Sequence, residues 1–408
     1  MKKKRRRSRV LEGIKVLDFS WVLVVPLATR YLADYGAEVI KIESTTQPDL
    51  GRVTSPFKDG VPGFERNVLF GWGNGSKKSI CLNLRHPDGR DLAKRLARWA
   101  DVITESFAPG VMESWGLCYD ELRKVNPSLI MLSGSVFGQT GPCRKHPGFG
   151  WNINALAGFT ELTGWPDREA AGPNVAYPDL IAPWFAIVSL LAAIDYRRRT
   201  GRGQYIDLAQ FEASLLFLSP TILDYTVNRR IGGRIGNRCP YAAPHGVFKC
   251  RGQDRWCAIA VTTDEEWQRF SAAIGNPLWS AESRFSTLRA RISNSEELDL
   301  LVEQWTTRYS PEEVMQRMQT AGVPCGVVKN ARDLLEDPQL EARGHFQLVN
   351  HPVVGSLPHA GWPAHLAETP AEYVRAPLLG EHTEYVCSKI LGLSDDELAR
   401  LIDAGVLC

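Results

Sequence analysis

The sequence lacks the motifs that most directly assign a function. The loop after the first predicted strand, residues 20–26, contains no glycine, so a pyrophosphate could not approach its backbone as it does in dinucleotide-binding folds. A Walker A lysine loop and a G-x-S-x-G motif are missing as well. These absences argue against a nicotinamide or flavin dehydrogenase, a P-loop nucleotide hydrolase and a serine hydrolase of the α/β type.

Patterns typical of metal sites and disulfide frameworks are also missing. The nine cysteines are an odd number without a C-x-x-C pair, which predicts reduced thiols and a cytoplasmic location. Four histidines fall close together, but they are separated by five or seven residues and fit no helical metal-binding face. The histidines are His345, His351, His359 and His365. We therefore predict no metal site.

Long apolar runs and an excess of basic charge are absent from the main body of the chain. The longest uncharged run, residues 180–194, contains Pro183 and is shorter than the roughly 20 residues that span a bilayer. Seven of the 48 basic residues lie within residues 1–9, and the remaining 41 face 46 acidic residues. The composition therefore predicts neither a membrane nor a nucleic-acid partner, and residues 1–10 are interpreted as a solvated, disordered tail.

What the sequence contains is an alternation of short apolar runs with helical patterns. Strands alternating with helices predict an α/β fold with a mainly parallel sheet covered on both faces. A long apolar helix is predicted over residues 182–198. The predicted strands of this part cover residues 13–19, 37–42, 79–84, 102–105, 129–133 and 204–208.

Residues 225–240 are rich in arginine and glycine and are interpreted as a linker. Within them, residues 232–237 fit an anion-binding loop and a flexible hinge equally well, so both readings stay open. Strands at 246–249 and 256–261 follow the linker, with a helix at 265–274. Ser310 and Glu313 form a predicted capping box for a further helix.

Blocks of sequence in the same order resemble the class III CoA-transferases, the family of formyl-CoA and carnitine CoA-transferases. Together they cover nearly the whole chain after residue 10, which makes the resemblance specific. The blocks are residues 11–43, 74–84, 100–116, 126–142, 197–209, 322–346 and 376–386.

The resemblance implies a large Rossmann-like domain built from both chain ends, a smaller α+β domain and an interlocked dimer. The expected organisation is a tail at 1–10, the first part of the large domain at 11–224, a linker and small domain at 225–330, and a return to the large domain at 331–408. A CoA thioester would be the substrate, with no permanently bound cofactor.

The resemblance also implies a catalytic aspartate that attacks an acyl-CoA and forms an anhydride, then a thioester with CoA. We expect this aspartate after a Pro-Gly-aromatic turn, where the chain has Gly150. Ser114 stands where the family has an arginine near the CoA phosphates. Asp179 matches a second family acid and is interpreted as structural. These departures predict that the chain has no catalytic nucleophile.

Residues for substrate binding are also inferred from the resemblance. The candidates for CoA binding are Val22, Lys41, Lys77, Lys78, Phe107, Phe137 and Gly138. The candidates for an aromatic pocket wall are Trp21, Phe149 and Trp151.

Our main hypothesis is a catalytically silent subunit of a heteromeric CoA-transferase, with the nucleophile on a paralogous partner chain. The complex would move CoA from a donor such as succinyl-CoA to a carboxylic acid such as an aromatic succinate. Two alternatives stay open. The chain could be a self-sufficient CoA-transferase or racemase-like enzyme that uses another carboxylate, or a CoA-ester-binding homologue that is not an enzyme.

Overall fold

A computed structural model describes residues 9–407 of the chain, so most of the tail at 1–10 lies outside the described residues. Contacts divide the chain into two compact units. The first contains residues up to 160 together with 172–231 and 342 onwards, and the second contains 161–171 and 232–341. The main part of the second unit, 232–341, therefore begins and ends later than the linker and small domain expected at 225–330, and the unit includes a short earlier segment.

A six-stranded parallel sheet forms the centre of the first unit, in the order β3-β2-β1-β4-β5-β6. Each strand overlaps a predicted one, so the predicted α/β class is confirmed. The order is that of doubly wound nucleotide-binding folds, in which the chain changes direction across the sheet between β1 and β4. The strands are β1 (Lys15–Asp18), β2 (Glu38–Glu43), β3 (Lys78–Cys81), β4 (Val102–Glu105), β5 (Ile130–Ser135) and β6 (Tyr205–Ala209).

Alternate residues of the strands point into two separate cores. Val16 and Val102 pack with Leu190 in one core, while Leu17 and Ile103 pack in the other. This two-sided burial explains why apolar residues occupy both faces of the strands. The helices of the first unit are α1 (Val24–Asp34), α2 (Leu50–Val53), α3 (Val68–Gly73), α4 (Pro87–Trp99), α5 (Val111–Ser114), α6 (Tyr119–Val125), α7 (Gly150–Leu156), α8 (Phe159–Leu162, which continues into the second unit), α9 (Tyr177–Thr200), α10 (Gln210–Phe217) and α11 (Ser219–Asn228).

Helix α9 begins five residues before the predicted helix because Pro178 fits its first turn, where no amide donor is needed. It ends at Gly201, which has a φ of +72°. Its length and composition would allow it to cross a membrane. Eight of its residues are buried, as in the core helices of globular domains.

Residues 342–407 return to the first unit. They form the hairpin β10 (Phe346–His351) and β11 (Gly355–Ala360) and the helices α18 (Thr383–Tyr385) and α19 (Asp395–Asp403), with a π-helical turn at Val386–Ile390. The Trp362 Nε1 atom donates to Asp34 at 2.8 Å. Leu407 forms a bridge with Leu82 beyond β3. Both chain ends therefore build this unit.

One cysteine departs from the expectation of thiols throughout. Cys81 is disulfide-bonded at the end of β3, where the Leu82–Leu407 bridge brings the returning chain alongside the strand. Among the described residues, the free cysteines are Cys118, Cys143, Cys239, Cys250, Cys257, Cys325 and Cys387.

The second unit packs helices on an antiparallel sheet of three strands, β7 (His245–Lys249), β8 (Trp256–Ala260) and β9 (Cys325–Val327). The predicted capping box of Ser310 and Glu313 is present. Gly236 packs against the Trp165 ring, so residues 232–237 contact the segment 161–171. The helices are α12 (Asp264–Ala273), α13 (Leu288–Ser293), α14 (Ser295–Thr306), α15 (Pro311–Thr320), α16 (Ala331–Leu335) and α17 (Pro338–Ala342), with 3₁₀ turns at Leu278–Ala281 and Ser283–Phe285.

Candidate active site

A cavity of about 250 Å³ opens at the carboxyl ends of β1 and β4. Ligands of open parallel sheets bind at this point, where the loops leave the sheet in opposite directions. Residues 21–24, 106–108 and 134–136, at the carboxyl ends of β1, β4 and β5, line the cavity. Residues 148–150 and the side chains of Asp179 and Gln210 complete it.

Gly150 and Asp179 meet in this cavity. Gly150 is the first residue of α7, and Asp179 lies in the first turn of α9. A Cβ atom on Gly150 would lie 2.4 Å from Asp179 Oδ1 and 2.6 Å from Oδ2, closer than real Cβ contacts. The absence of a side chain at position 150 therefore makes room for the Asp179 carboxylate.

The environment of Asp179 suits a nucleophilic carboxylate. Burial raises its pKa to about 6, and a long hydrogen bond of 3.4 Å from Gln210 Nε2 opposes this rise. No lysine, arginine or histidine of the described chain lines the cavity. The carboxylate is mostly ionised at neutral pH, yet it is poorly solvated, and both properties favour attack on an electrophilic carbon.

Aromatic side chains form one wall of the same cavity. The rings of Trp21 and Phe107 meet edge to face with centroids 5.3 Å apart, and Phe149 is 58% exposed beside them. Phe137 and Trp151 instead line a separate cavity of about 1020 Å³ together with Gly138. The aromatic residues predicted to bind substrate are therefore divided between two cavities.

The three candidate lysines do not reach the cavity around Asp179. Lys41 and Lys77 are buried in the first unit, and Lys77 Nζ lies 2.9 Å from Asp18. Burial by itself would raise the pKa of Asp18, but the two ammonium groups keep it well below its usual range. Lys78 is half-buried and pairs with Glu38 at 2.9 Å. We therefore leave all three out of the site proposed below.

A third cavity, of about 570 Å³, lies beyond the loop at 108–110. Glu105 lies in it, and burial raises the pKa of this carboxyl to about 7. Arg144 and Lys145 supply basic groups to the same cavity. Ser114, at the position where the family has an arginine, instead donates a hydrogen bond to the Val111 carbonyl at 2.7 Å.

Sequence reasoning missed two residues that shape the site. Asp49 accepts the backbone N–H of Val22 at 2.8 Å, and the only sequence signal was an acidic residue after a proline, typical of a turn. Gln210 follows β6 and gave no distinct signal. Among residues 9–407, no group of three or more His, Cys, Asp or Glu side chains could hold a metal ion.

Comparison with known proteins gives a match over most of the chain. The family model described as CoA-transferase family III matches residues 11–383. The chain is 34% identical, over 97% of its length and 98% of the relative, to a succinyl-CoA–D-citramalate CoA-transferase of Chloroflexus aurantiacus. It is 32% identical to the beta subunit of a succinyl-CoA–L-malate CoA-transferase of the same organism, over 96% of each chain.

A solved structure shares the fold. The crystal structure of a CaiB/BaiF family protein from Brucella suis superposes with a TM-score of 0.86 and 30% identity. The match covers 94% of this chain and all of that one.

Proposed function

The chain belongs to CoA-transferase family III, and on this basis we propose that it is a catalytically competent CoA-transferase whose nucleophile is Asp179. The observation that carries the proposal is the position of the Asp179 carboxylate in the space that a side chain at Gly150 would fill. The relatives named above act on succinyl-CoA and carboxylic acids, and a free carboxylate in the cavity is the group that such a transfer requires.

The proposed reaction begins with attack of an Asp179 oxygen on the thioester carbonyl. The carbon–sulfur bond breaks, CoA leaves as a thiolate, and a mixed anhydride remains. The thiolate then attacks the aspartyl carbonyl, which releases the donor acid as a carboxylate and leaves an aspartyl-CoA thioester. The acceptor carboxylate attacks this thioester, which expels the CoA thiolate and forms a second anhydride between the acceptor and Asp179. The thiolate then attacks the acyl carbon of the acceptor, and Asp179 leaves as a free carboxylate. The free energy of the thioester is conserved because the acyl groups stay activated, as anhydride or thioester, and no intermediate is hydrolysed.

The hypothesis of a catalytically silent subunit rests on Gly150, and it is the alternative to this proposal. The residue at position 150 and the carboxylate of Asp179 compete for one space, so a glycine there is compatible with an active chain. A relative named as a beta subunit supports a paralogous partner for this chain. Such a partner, or an interlocked dimer, can form whether or not the chain carries its own nucleophile.

The basic residues Arg144 and Lys145 are proposed to face the phosphates of CoA. They line the cavity beyond the loop at 108–110, which the family resemblance places near the nucleotide end of CoA. A guanidinium group there would make the charge-assisted contact that Ser114 cannot make. The pantetheine arm would then reach Asp179 past Phe107, which lines the smaller cavity.

The acyl site is proposed to take an acid with an apolar or aromatic group. Trp21, Phe107 and Phe149 line the cavity that contains Asp179 and supply apolar surface for such a group. Succinyl-CoA is the donor to test first because two relatives are named for it. We place the reaction in the cytoplasm, since most described cysteines are free thiols.

The proposal is tested by isotope exchange with the purified chain alone. Labelled succinate is incubated with succinyl-CoA, and the label that enters the thioester is measured, because this exchange needs a nucleophilic carboxylate but no second acid. We expect exchange by the parent chain and none by Asp179→Asn. Asp167→Asn, the same change at an exposed carboxylate, is the matched control and should keep parental exchange.

Exchange that survives Asp179→Asn would contradict the assignment of the nucleophile. No exchange by the lone chain, restored by a co-expressed paralogue, would support the silent-subunit hypothesis instead.

A further inference from the structure

The loop between β1 and α1 contains a residue in a strained backbone conformation. Val22 has a φ of +66°, in the left-handed region that β-branched side chains rarely adopt. Such residues persist only where their surroundings hold them, and they concentrate at functional sites. Val22 and its neighbour Trp21 both line the cavity that contains Asp179.

A buried ion pair holds this loop from beneath. One oxygen of Asp49, Oδ1, accepts the N–H groups of Val22 and Gly51, each at 2.8 Å. The other, Oδ2, lies 2.9 Å from Lys41 Nζ. The same ammonium donates to the Ser20 carbonyl at 2.5 Å. The side chains of Lys41 and Asp49 are 0% and 1% exposed, so water does not compete for these contacts.

The loop is also fixed from the side of β4. The Trp21 N–H donates to Ser106 Oγ at 2.9 Å, and the Trp21 ring packs on Phe107. Three consecutive residues, 20–22, therefore have a backbone group bound to a neighbouring side chain. The contacts at Ser20 and Val22 both lead to the Asp49–Lys41 pair.

We propose that the Asp49–Lys41 pair is a positioning device for the transfer reaction. It holds Val22 in the left-handed conformation and thereby keeps Trp21 and Val22 in place against the acyl group that Asp179 attacks. Neither member of the pair lines the cavity, so both act through the loop. This inference rests on the proposed function, because it assigns a task to the loop that faces Asp179.

A purely structural role would have a different signature. A pair that served only stability would, when altered, lower the unfolding temperature by the same amount whatever residue occupies position 22. A pair that holds a strained residue becomes dispensable when the strain is removed. Glycine adopts a positive φ without strain, so Val22→Gly is the substitution that separates the two roles.

The test is a double-mutant cycle on the rate of succinate exchange into succinyl-CoA. We expect Asp49→Asn to lower kcat by about tenfold to hundredfold, with a smaller change in KM, because the asparagine oxygen can still accept the two N–H groups but cannot pair with Lys41. Val22→Gly also removes a side chain from the cavity wall, so its own kcat serves only as the reference for the second arm of the cycle. In the Val22→Gly background, Asp49→Asn should cost less than about threefold.

A matched control comes from the opposite edge of the sheet. Asp101 precedes β4, accepts the Lys15 N–H at 2.9 Å and pairs with Arg197 at 2.8 Å, so it resembles Asp49 in chemistry but lies at the amino ends of the strands. Asp101→Asn should lower the unfolding temperature and leave kcat unchanged. If Asp49→Asn does not fold, the double variant Asp49→Asn with Lys41→Met removes both charges and should show the same loss of kcat.

The outcomes separate this inference from the proposed function. A parental kcat in Asp49→Asn, or an equal loss in both backgrounds, would overturn the positioning role while Asp179→Asn remains inactive. An Asp179→Asn variant that still exchanges would overturn the proposed nucleophile. If the parent chain shows no exchange, both the proposed nucleophile and the positioning role are overturned.

Discussion

The carboxylate of Asp179 occupies the space in which a side chain at Gly150 would lie, because a Cβ atom there would be 2.4 Å from Asp179 Oδ1. The two residues belong to different helices, α7 and α9. Position 150 lacks a carboxylate, and the carboxylate of Asp179 lies in the same space instead.

Gly150→Ala is expected to lower the rate of isotope exchange by at least about hundredfold. The methyl group would displace the Asp179 carboxylate from the cavity, and overpacking of this kind costs about 1–3 kcal/mol of stability. Gly71→Ala is the control, since Gly71 is also helical and has no neighbour within 4 Å of an added Cβ. Parental exchange in Gly150→Ala would show that Asp179 need not lie where the structure has it.

Exchange is expected to rise with pH through about 6 and then level off. Burial raises the pKa of Asp179 to about 6, and only the ionised carboxylate attacks, so the rate should rise about tenfold per pH unit below that value. The measurement is the pH dependence of kcat for exchange between pH 4.5 and 8. A rate that is flat over this range would contradict Asp179 as the titrating nucleophile.

Ionisation of Asp179, which should raise activity, should lower the stability of the fold. Because the pKa of Asp179 is raised in the folded state, its protonated form stabilises the fold. This contribution to the free energy of unfolding is present below the ordinary carboxyl pKa and is lost as the pH rises through about 6. Asp179→Asn should therefore unfold at a higher temperature than the parent at pH 8, and the difference should shrink at pH 4.5. Calorimetry at both pH values checks this.

Trp21→Ala is expected to raise the KM for an aromatic acceptor acid by about tenfold, because it removes apolar surface beside Asp179. Trp151→Ala is the matched control, since Trp151 lines the other cavity and should leave this KM unchanged. The measurement is acceptor KM for an aromatic acid and for succinate. Equal effects of the two variants would contradict the division of the aromatic residues between two cavities.

Lys77→Met is expected to reduce stability by about 3–5 kcal/mol, because it leaves the Asp18 carboxylate buried without its partner at 2.9 Å. Lys78→Met, which breaks a half-buried pair with Glu38, should cost about 1 kcal/mol or less. Under conditions in which both variants are folded, neither substitution should raise the KM for a CoA thioester. Urea unfolding measures the stability of each variant, and initial rates measure its KM. A rise in KM for Lys77→Met alone would support Lys77 as a partner of the CoA phosphates.

The sheet could be predicted from the sequence because its signal is local. Each strand of the six-stranded sheet contains adjacent apolar residues that are buried on opposite faces, such as Val102 and Ile103 in β4. Helix α9 began earlier than predicted because the apolar pattern starts at 182, whereas Pro178 sets the first turn. The segment 161–171 joins the second unit through contacts such as Gly236 with Trp165, which no local pattern reveals.

The candidate site was only partly predictable because its key contacts join distant parts of the chain. The sequence identified Gly150 as lacking a carboxylate, but it could not show that the first turn of α9 brings Asp179 to the same place. Lys41 and Lys77 are basic residues that a sequence presents as candidates for phosphate binding. Asp49 and Asp18 reach them only in the folded chain, and there both ammonium groups become part of the interior.

The return of residues 342–407 to the first unit has a consequence for how the protein is made. The core beneath α4 contains Val386 and Leu401, and Leu407 pairs with Leu82. While a ribosome is still synthesising the second unit, this core contains α4 but lacks the side chains of residues 386–407, so the apolar residues that they cover stay exposed. The second unit, a continuous stretch apart from 161–171, is synthesised before residues 342–407, so the first unit can close only after those residues have left the ribosome.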